Sequence, residues 1–109
     1  MATTYKVLGQ TNPSATTATT AYTVPSATQT VVSTIAVANI GSAPATYRIA
    51  VRPAGEALAN KHYLVYDSSV APQSTDTLTL GVTLGATDVV TVYASSATMA
   101  FNLFGSEIA

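Results

Sequence analysis

Cysteine and tryptophan are absent from these 109 residues, histidine occurs once, and Lys, Arg, Asp and Glu together number only nine. Without cysteine there is no disulfide framework and no thiolate metal site. Four cations against five acids give a formal net charge of −1. A surface that neutralises many phosphates needs more cations, so nucleic acid is not expected as a partner. No run of eighteen apolar residues exists, so no membrane-spanning helix is expected. The start Met1-Ala2-Thr3-Thr4 lacks the basic and apolar regions of a secretory signal. The expectation is a protein made in the cytoplasm.

What is present is small and β-branched. The apolar fraction is 48%, but alanine supplies 19 of those residues and threonine adds another 19 outside them. A helical bundle would instead be rich in Leu, Glu and Lys, and ordinary disorder would carry more charge and fewer β-branched residues. The length fits one domain, residues 1–109, with a modest core. A freely soluble monomer usually carries far more surface charge. Either Thr and Ser supply the hydration, or other subunits cover much of the surface.

The dominant pattern has period two. Tyr47, Ile49 and Val51 alternate with Arg48, Ala50 and Arg52, as in a strand with one wet face. Asp76 to Leu84 repeats the pattern, with Leu78, Leu80, Val82 and Leu84 inward and Gly81 outward at a bulge or a close neighbour. Val90 and Val92 oppose Thr91 and Tyr93; Met99, Phe101 and Leu103 oppose Thr98, Ala100 and Asn102. Thr30 to Ile40 reads as a long strand with Val31, Ile35 and Val37 on one face. His62 to Asp67, Thr4 to Leu8 and Ala21 to Val24 complete the series.

Turn signals at Asn12-Pro13, Gly41 to Pro44, Arg52 to Gly55, Ala71-Pro72 and Gly85-Ala86 separate these strands. Only Glu56 to Asn60 has helical propensity, for one turn at most. A Ser/Ala/Thr-rich loop or arm lies near residues 11–20. The fold class is all-β: an antiparallel β-sandwich of about seven or eight strands, with immunoglobulin-like and jelly-roll topologies both open.

No constellation of catalytic residues stands out. His62 is the only histidine and no nucleophile-elbow sequence surrounds any serine, so the chain is expected not to be an enzyme. Asp67, Asp76 and Asp88 lack the tight spacing of a calcium loop, so neither a metal nor a cofactor is expected. They suit strand starts and Asx turns. Arg48 and Arg52 share a strand face and are candidate docking cations for a carboxylate on another subunit, or else partners of Glu56 or Asp67. Tyr66 and Tyr93 point outward as interface anchors or a sugar-stacking platform. Phe104 is a further interface candidate.

Tyr47 to Gly55, Leu58 to Tyr63, Thr87 to Ala94 and Phe101 to Ile108, together with Tyr5 to Gln10 and Tyr22 to Pro25, give the chain a recognisable signature. It resembles a family of small virion structural proteins of tailed bacteriophages, of the capsid-decoration or tail-accessory type. The resemblance covers nearly the whole chain and implies a non-enzymatic part of the particle. It carries no catalytic motif. The expected function is a capsid decoration or cement protein that binds the assembled particle and stabilises it. A tail, baseplate or fibre-attachment module and a host-surface carbohydrate-binding module are the alternatives. The expected partners are other virion proteins, either the major capsid protein or tail components, and further copies of the chain. The location is the virion. Edge strands and the segments Thr3 to Gln10 and Phe104 to Ala109 are candidates for adding a strand to a neighbour's sheet.

Overall fold

A computed structural model describes residues 2–109. The period-two segments form nine strands: β1 (Thr3–Thr11), β2 (Thr19–Thr23), β3 (Gln29–Asn39), β4 (Ala45–Arg52), β5 (Tyr63–Val70), β6 (Ser74–Leu78), β7 (Val82–Leu84), β8 (Val89–Ala94) and β9 (Met99–Ile108). No α-helix occurs among the described residues. The helical propensity of Glu56 to Asn60 is not realised. Single 3-10 turns instead fall at Pro53–Gly55 and Asn60–His62. Five residues cannot offset the cost of a helical nucleus, and Glu56 is extended, its carbonyl accepting from Arg52 and its carboxylate meeting His62.

The strands pair antiparallel in two sheets, ordered β1-β9-β3-β6 and β2-β8-β4-β5, with β7 also on β3. β6 and β7 pair with successive stretches of β3, at Ile35–Asn39 and at Thr30–Val32. They are one strand interrupted, which explains why nine appear where seven or eight were expected. Counted as one, the orders become 1-8-3-6 and 2-7-4-5. That is the jelly roll, in which first and last strands lie side by side. An immunoglobulin-like sandwich would pair the first strand with the second. Only β4 and β5 are joined within one sheet; every other connection crosses between sheets.

Bulges correct the simple alternation. The β3–β9 register slips at Ser33, with Val32 opposite Gly105 but Thr34 opposite Phe104. One extra residue inverts side-chain parity. Val32 therefore joins Ile35 and Val37 in the core, and Val31, expected there, faces outward. Leu8 is the extra residue in β1, between the Val7–Phe104 and Gly9–Leu103 pairs. On the other side of β3, Thr79, Leu80 and Gly81 face only Ser33 and Thr34. Leu80 leaves the core there and is 48% exposed. Gly81 takes φ +64 with open space around it, so it serves the bulge rather than a close neighbour. These irregularities line up as one row across the sheet.

Between the sheets lie Tyr47, Ile49, Val92, Phe101, Leu103 and their neighbours, all buried. Tyr47 and Phe101 meet edge to face at 6.1 Å, and the Tyr47 hydroxyl reaches Asp76 Oδ2 at 3.1 Å. At one end, buried Asn39 satisfies all four of its side-chain hydrogen-bonding positions. It donates to the carbonyls of Ala43 and Val70 and accepts from the Gly41 amide and the Thr98 hydroxyl. Three crossing loops are fixed through that one amide.

At the other end, Ala2 and Ala109 exchange backbone hydrogen bonds in both directions. Close by, Glu107 accepts from Lys6 Nζ at 3.2 Å and from the Tyr22 hydroxyl, which also contacts Thr30 Oγ1 at 2.8 Å. The cluster ties β1, β3 and β9 of one sheet to β2 of the other. Burial, helped by the neighbouring carboxylate, pushes the Tyr22 hydroxyl up to about 12, and the Tyr22 hydrogen bond pulls the Glu107 carboxyl below its ordinary 4.5. A depressed carboxyl stabilises the fold fully above the unfolded value and loses that contribution as pH falls through the folded one. Acid titration of the melting temperature should therefore fall more steeply below 4.5 in the natural chain than in Glu107→Gln, with the two curves converging at low pH. Parallel curves would remove Glu107 from the acid response.

Candidate interaction surfaces

The outer face of the β2-β8-β4-β5 sheet carries the charged candidates. Alternation places Arg48 and Arg52 of β4 outward, beside Tyr93 and Val89 of β8. On its other flank β4 meets an irregular β5. Tyr47 pairs with Ser68 and Ile49 with Val65, so Tyr66 and Asp67 both stand opposite Arg48. Asp67 takes φ +54, a left-handed conformation that Asp tolerates better than most residues. This bulge presents a ring and a carboxylate to the same guanidinium.

Arg48 is held on three sides. Its Nε and Nη2 donate to the two oxygens of Asp67 at 2.6 and 3.3 Å, and its guanidinium carbon stands 4.2 Å from the ring centroids of both Tyr66 and Tyr93. A planar cation satisfies the fork and the rings together, which a lysine could not. The Arg48 hydrogen bond holds the Asp67 carboxyl below the usual carboxylate range. The guanidinium covers one face of each ring, where a sugar would stack. Tyr63 meets Tyr66 edge to face at 4.9 Å, and with Asn60 these two line an open hollow.

Arg52 does not join this group. Its Nε donates to Thr91 Oγ1 at 3.0 Å and its Nη1 to the Gly55 and Glu56 carbonyls. It straps the 53–62 loop over Ala50 and Thr91, which are buried although they face outward. His62 lies under the same loop, with its Nδ1 accepting from the Ala59 amide at 3.0 Å and its Nε2 3.2 Å from Glu56 Oε1. Asp88 accepts from the Ala54 and Gly85 amides, and Asp76 from the Tyr47 hydroxyl. The three aspartates thus serve separate partners. Among the described residues, no group of three His, Cys, Asp or Glu is placed to hold a metal ion.

Phe104 lies on the opposite side of the molecule, on the outer face of the β1-β9-β3-β6 sheet. Register sets Val7 and Thr34 beside it, and Tyr5 and Val31 flank Ser106 one pair further on. Tyr5 is 84% exposed, Val7 47% and Phe104 37%. The remaining outward positions of these strands hold Ile108 and otherwise Thr, Ala, Ser, Gln and Asn. Lys6, Asp76 and Glu107, the charged residues of this sheet, all alternate to its inner side. Among the described residues, the outer face of this sheet therefore carries no charged side chain.

Comparison with protein-family models, curated proteins and solved structures returns no match. Tyr5 and Val7 were not among the site residues expected from sequence: alternation with Lys6 assigns such an apolar pair to the inner face, and only the register with β9 turns them outward and Lys6 inward. Of the five expected, Arg48, Tyr66 and Tyr93 come together, Arg52 serves a loop, and Phe104 belongs to the other face. The segment Phe104 to Ala109 cannot add a strand to a neighbour: β9 lies between β1 and β3, and both its edges are taken. β1 has one free edge.

Proposed function

We propose that the chain is a structural subunit of a bacteriophage particle, a capsid decoration protein that docks through the outer face of the β1-β9-β3-β6 sheet. The uncharged character of that face is the observation that carries the reading. An apolar patch of Tyr5, Val7 and Phe104 within a charge-free surface suits burial against a lattice, since no ion must be desolvated on contact. The jelly roll is an architecture used for capsid and lectin domains, which adds weight by analogy of fold alone. Binding to the assembled lattice and not to its free parts would stabilise the lattice by mass action.

The opposite face, with Arg48 neutralised by Asp67, is then turned to solvent. Antibody labelling of whole particles tests the location: a decorated head is expected, and a decorated tail would replace this reading with that of a tail or baseplate module. Two variants test the face. Phe104→Lys should abolish retention on purified particles while leaving the isolated protein folded, because it forces a charge into the contact. Arg48→Ala should be retained like the natural chain. Loss of Arg48→Ala with retention of Phe104→Lys would reverse the assignment of faces.

A further inference from the structure

The two sheets have four outer edges, and three of them are interrupted. β2 has five residues with a register slip at Ala21; β5 slips twice against β4; β6 and β7 are split at Thr79 to Gly81. Short, bulged edges resist pairing with other chains. β1 differs. From Thr3 to Val7 it pairs with Ile108 to Phe104 without irregularity, and its bulge comes only at Leu8.

The terminal hydrogen bonds fix which backbone groups of this run are free. Ala2 and Ala109 exchange both bonds. In an antiparallel ladder such pairs alternate with non-bonded ones, so Thr4 and Lys6 direct their N–H and C=O groups at β9. Thr3, Tyr5 and Val7 direct theirs at the open edge. The unpaired groups therefore belong to the residues whose side chains stand on the uncharged face.

We propose that this edge pairs with the same edge of a second copy, antiparallel and centred on Tyr5. In this register Tyr5 faces Tyr5 of the second copy, and Thr3 faces Val7 in both directions. These are the odd-numbered residues with free backbone groups, so all three pairs exchange two bonds each. Centring on Thr4 or Lys6 also matches free groups with free groups, but within the Thr3 to Val7 run it leaves two bonded pairs instead of three, and centring on Lys6 sets two lysines face to face. Centring on Val7 would run the pairing into the Leu8 bulge. Self-pairing also suits the charges. Lys6 falls opposite Thr4 instead of another lysine, and is already paired with Glu107. Aromatic and β-branched residues meet across the seam, which favours sheet pairing. The contact is two-fold and self-complementary, and it merges two uncharged faces into one continuous eight-stranded surface. It does not depend on the docking reading.

Sedimentation equilibrium of the full chain tests it. The natural chain should have twice the mass of 11.1 kDa, and Tyr5→Lys should return to 11.1 kDa with an unchanged circular dichroism spectrum, since like charges would meet at the centre. Tyr5→Pro should do the same, because it removes an amide that points away from β9. Hydrogen exchange supplies the register: the Thr3, Tyr5 and Val7 amides should be protected in the dimer and exchange freely in Tyr5→Lys. A natural chain that stays monomeric overturns the proposal, and so does a dimer in which those amides remain unprotected.

Discussion

Gly105→Ala should fail to fold, or lose about 3 kcal/mol or more, at the upper end of what overpacking usually costs. A Cβ at this position would lie 1.9 Å from the carbonyl oxygen of Val31, far inside any real contact. The obstacle is backbone, and it cannot swing aside as a side chain could. Val31 is paired with Ser106 on one side and Thr83 on the other, so retreat would break the ladder in mid-sheet. Gly81→Ala is the comparison. There a Cβ meets nothing within 4 Å, and the cost is the left-handed φ alone, about 1 kcal/mol. Urea titration of both should show a large fall in midpoint for position 105 and a small one for position 81, with unchanged slopes. Equal midpoints would mean that the row of bulges is not as close-packed as drawn.

That row marks where sequence reading stops. Period-two alternation identifies Met99, Phe101 and Leu103 as inward, and Tyr47, Ile49 and Val51 likewise, because those stretches contain no insertion. It misplaces Val31 because one extra residue at Ser33 inverts the side chains on its far side, and Leu80 because Thr79 to Gly81 stand three against two and bulge outward, while Val82 and Leu84 beyond them keep the inward parity expected. Bulges are set by pairing between distant strands, so nothing local to Ser33 announces one. Gly81 is the exception, a glycine whose conformational freedom the bulge requires. Strand order was likewise beyond local reading, since it depends on which distant segments pair. The first and last strands meet across nearly the whole chain, from Thr3 to Ile108.

The surfaces were legible to a similar depth. Outward alternation made Arg48, Tyr66 and Tyr93 candidates, and Asp67 a possible cross-strand partner of the arginine. Their convergence follows from the β5 bulge, which places Tyr66 and Asp67 together opposite Arg48. Asn39 had no sequence signal at all. It looks like an ordinary strand-end residue, yet its amide holds three loops because the jelly roll brings their ends together. The sparse charge, by contrast, was visible from composition, and the fold gives it a direction: the few charged side chains of the β1-β9-β3-β6 sheet turn inward and leave its outer face neutral.

Phe101→Ala should lower stability by about 3–5 kcal/mol, the usual range for deleting a buried ring. Phe101 has no exposed surface and stacks edge-on with Tyr47, so the truncation leaves a cavity and strips one partner from an aromatic pair. Domains of this kind are stable by only about 5–15 kcal/mol, and the melting temperature should fall by roughly 15 °C or more. Tyr47→Phe keeps the ring and loses the hydroxyl bond to Asp76, so it should cost only about 1 kcal/mol. Phe104→Ala removes the same ring three residues further along the strand. Its side chain stands on the outer face, partly in solvent, and the melting temperature should move by only a few degrees, for a cost within about 1 kcal/mol. Retention on the particle should rank the two phenylalanines the other way, with the Phe104 ring mattering most wherever the Phe101 variant is kept folded by lower temperature. One ring closes the sandwich and the other is proposed to meet the lattice, so a single ranking in both assays would contradict the proposed division between core and docking face.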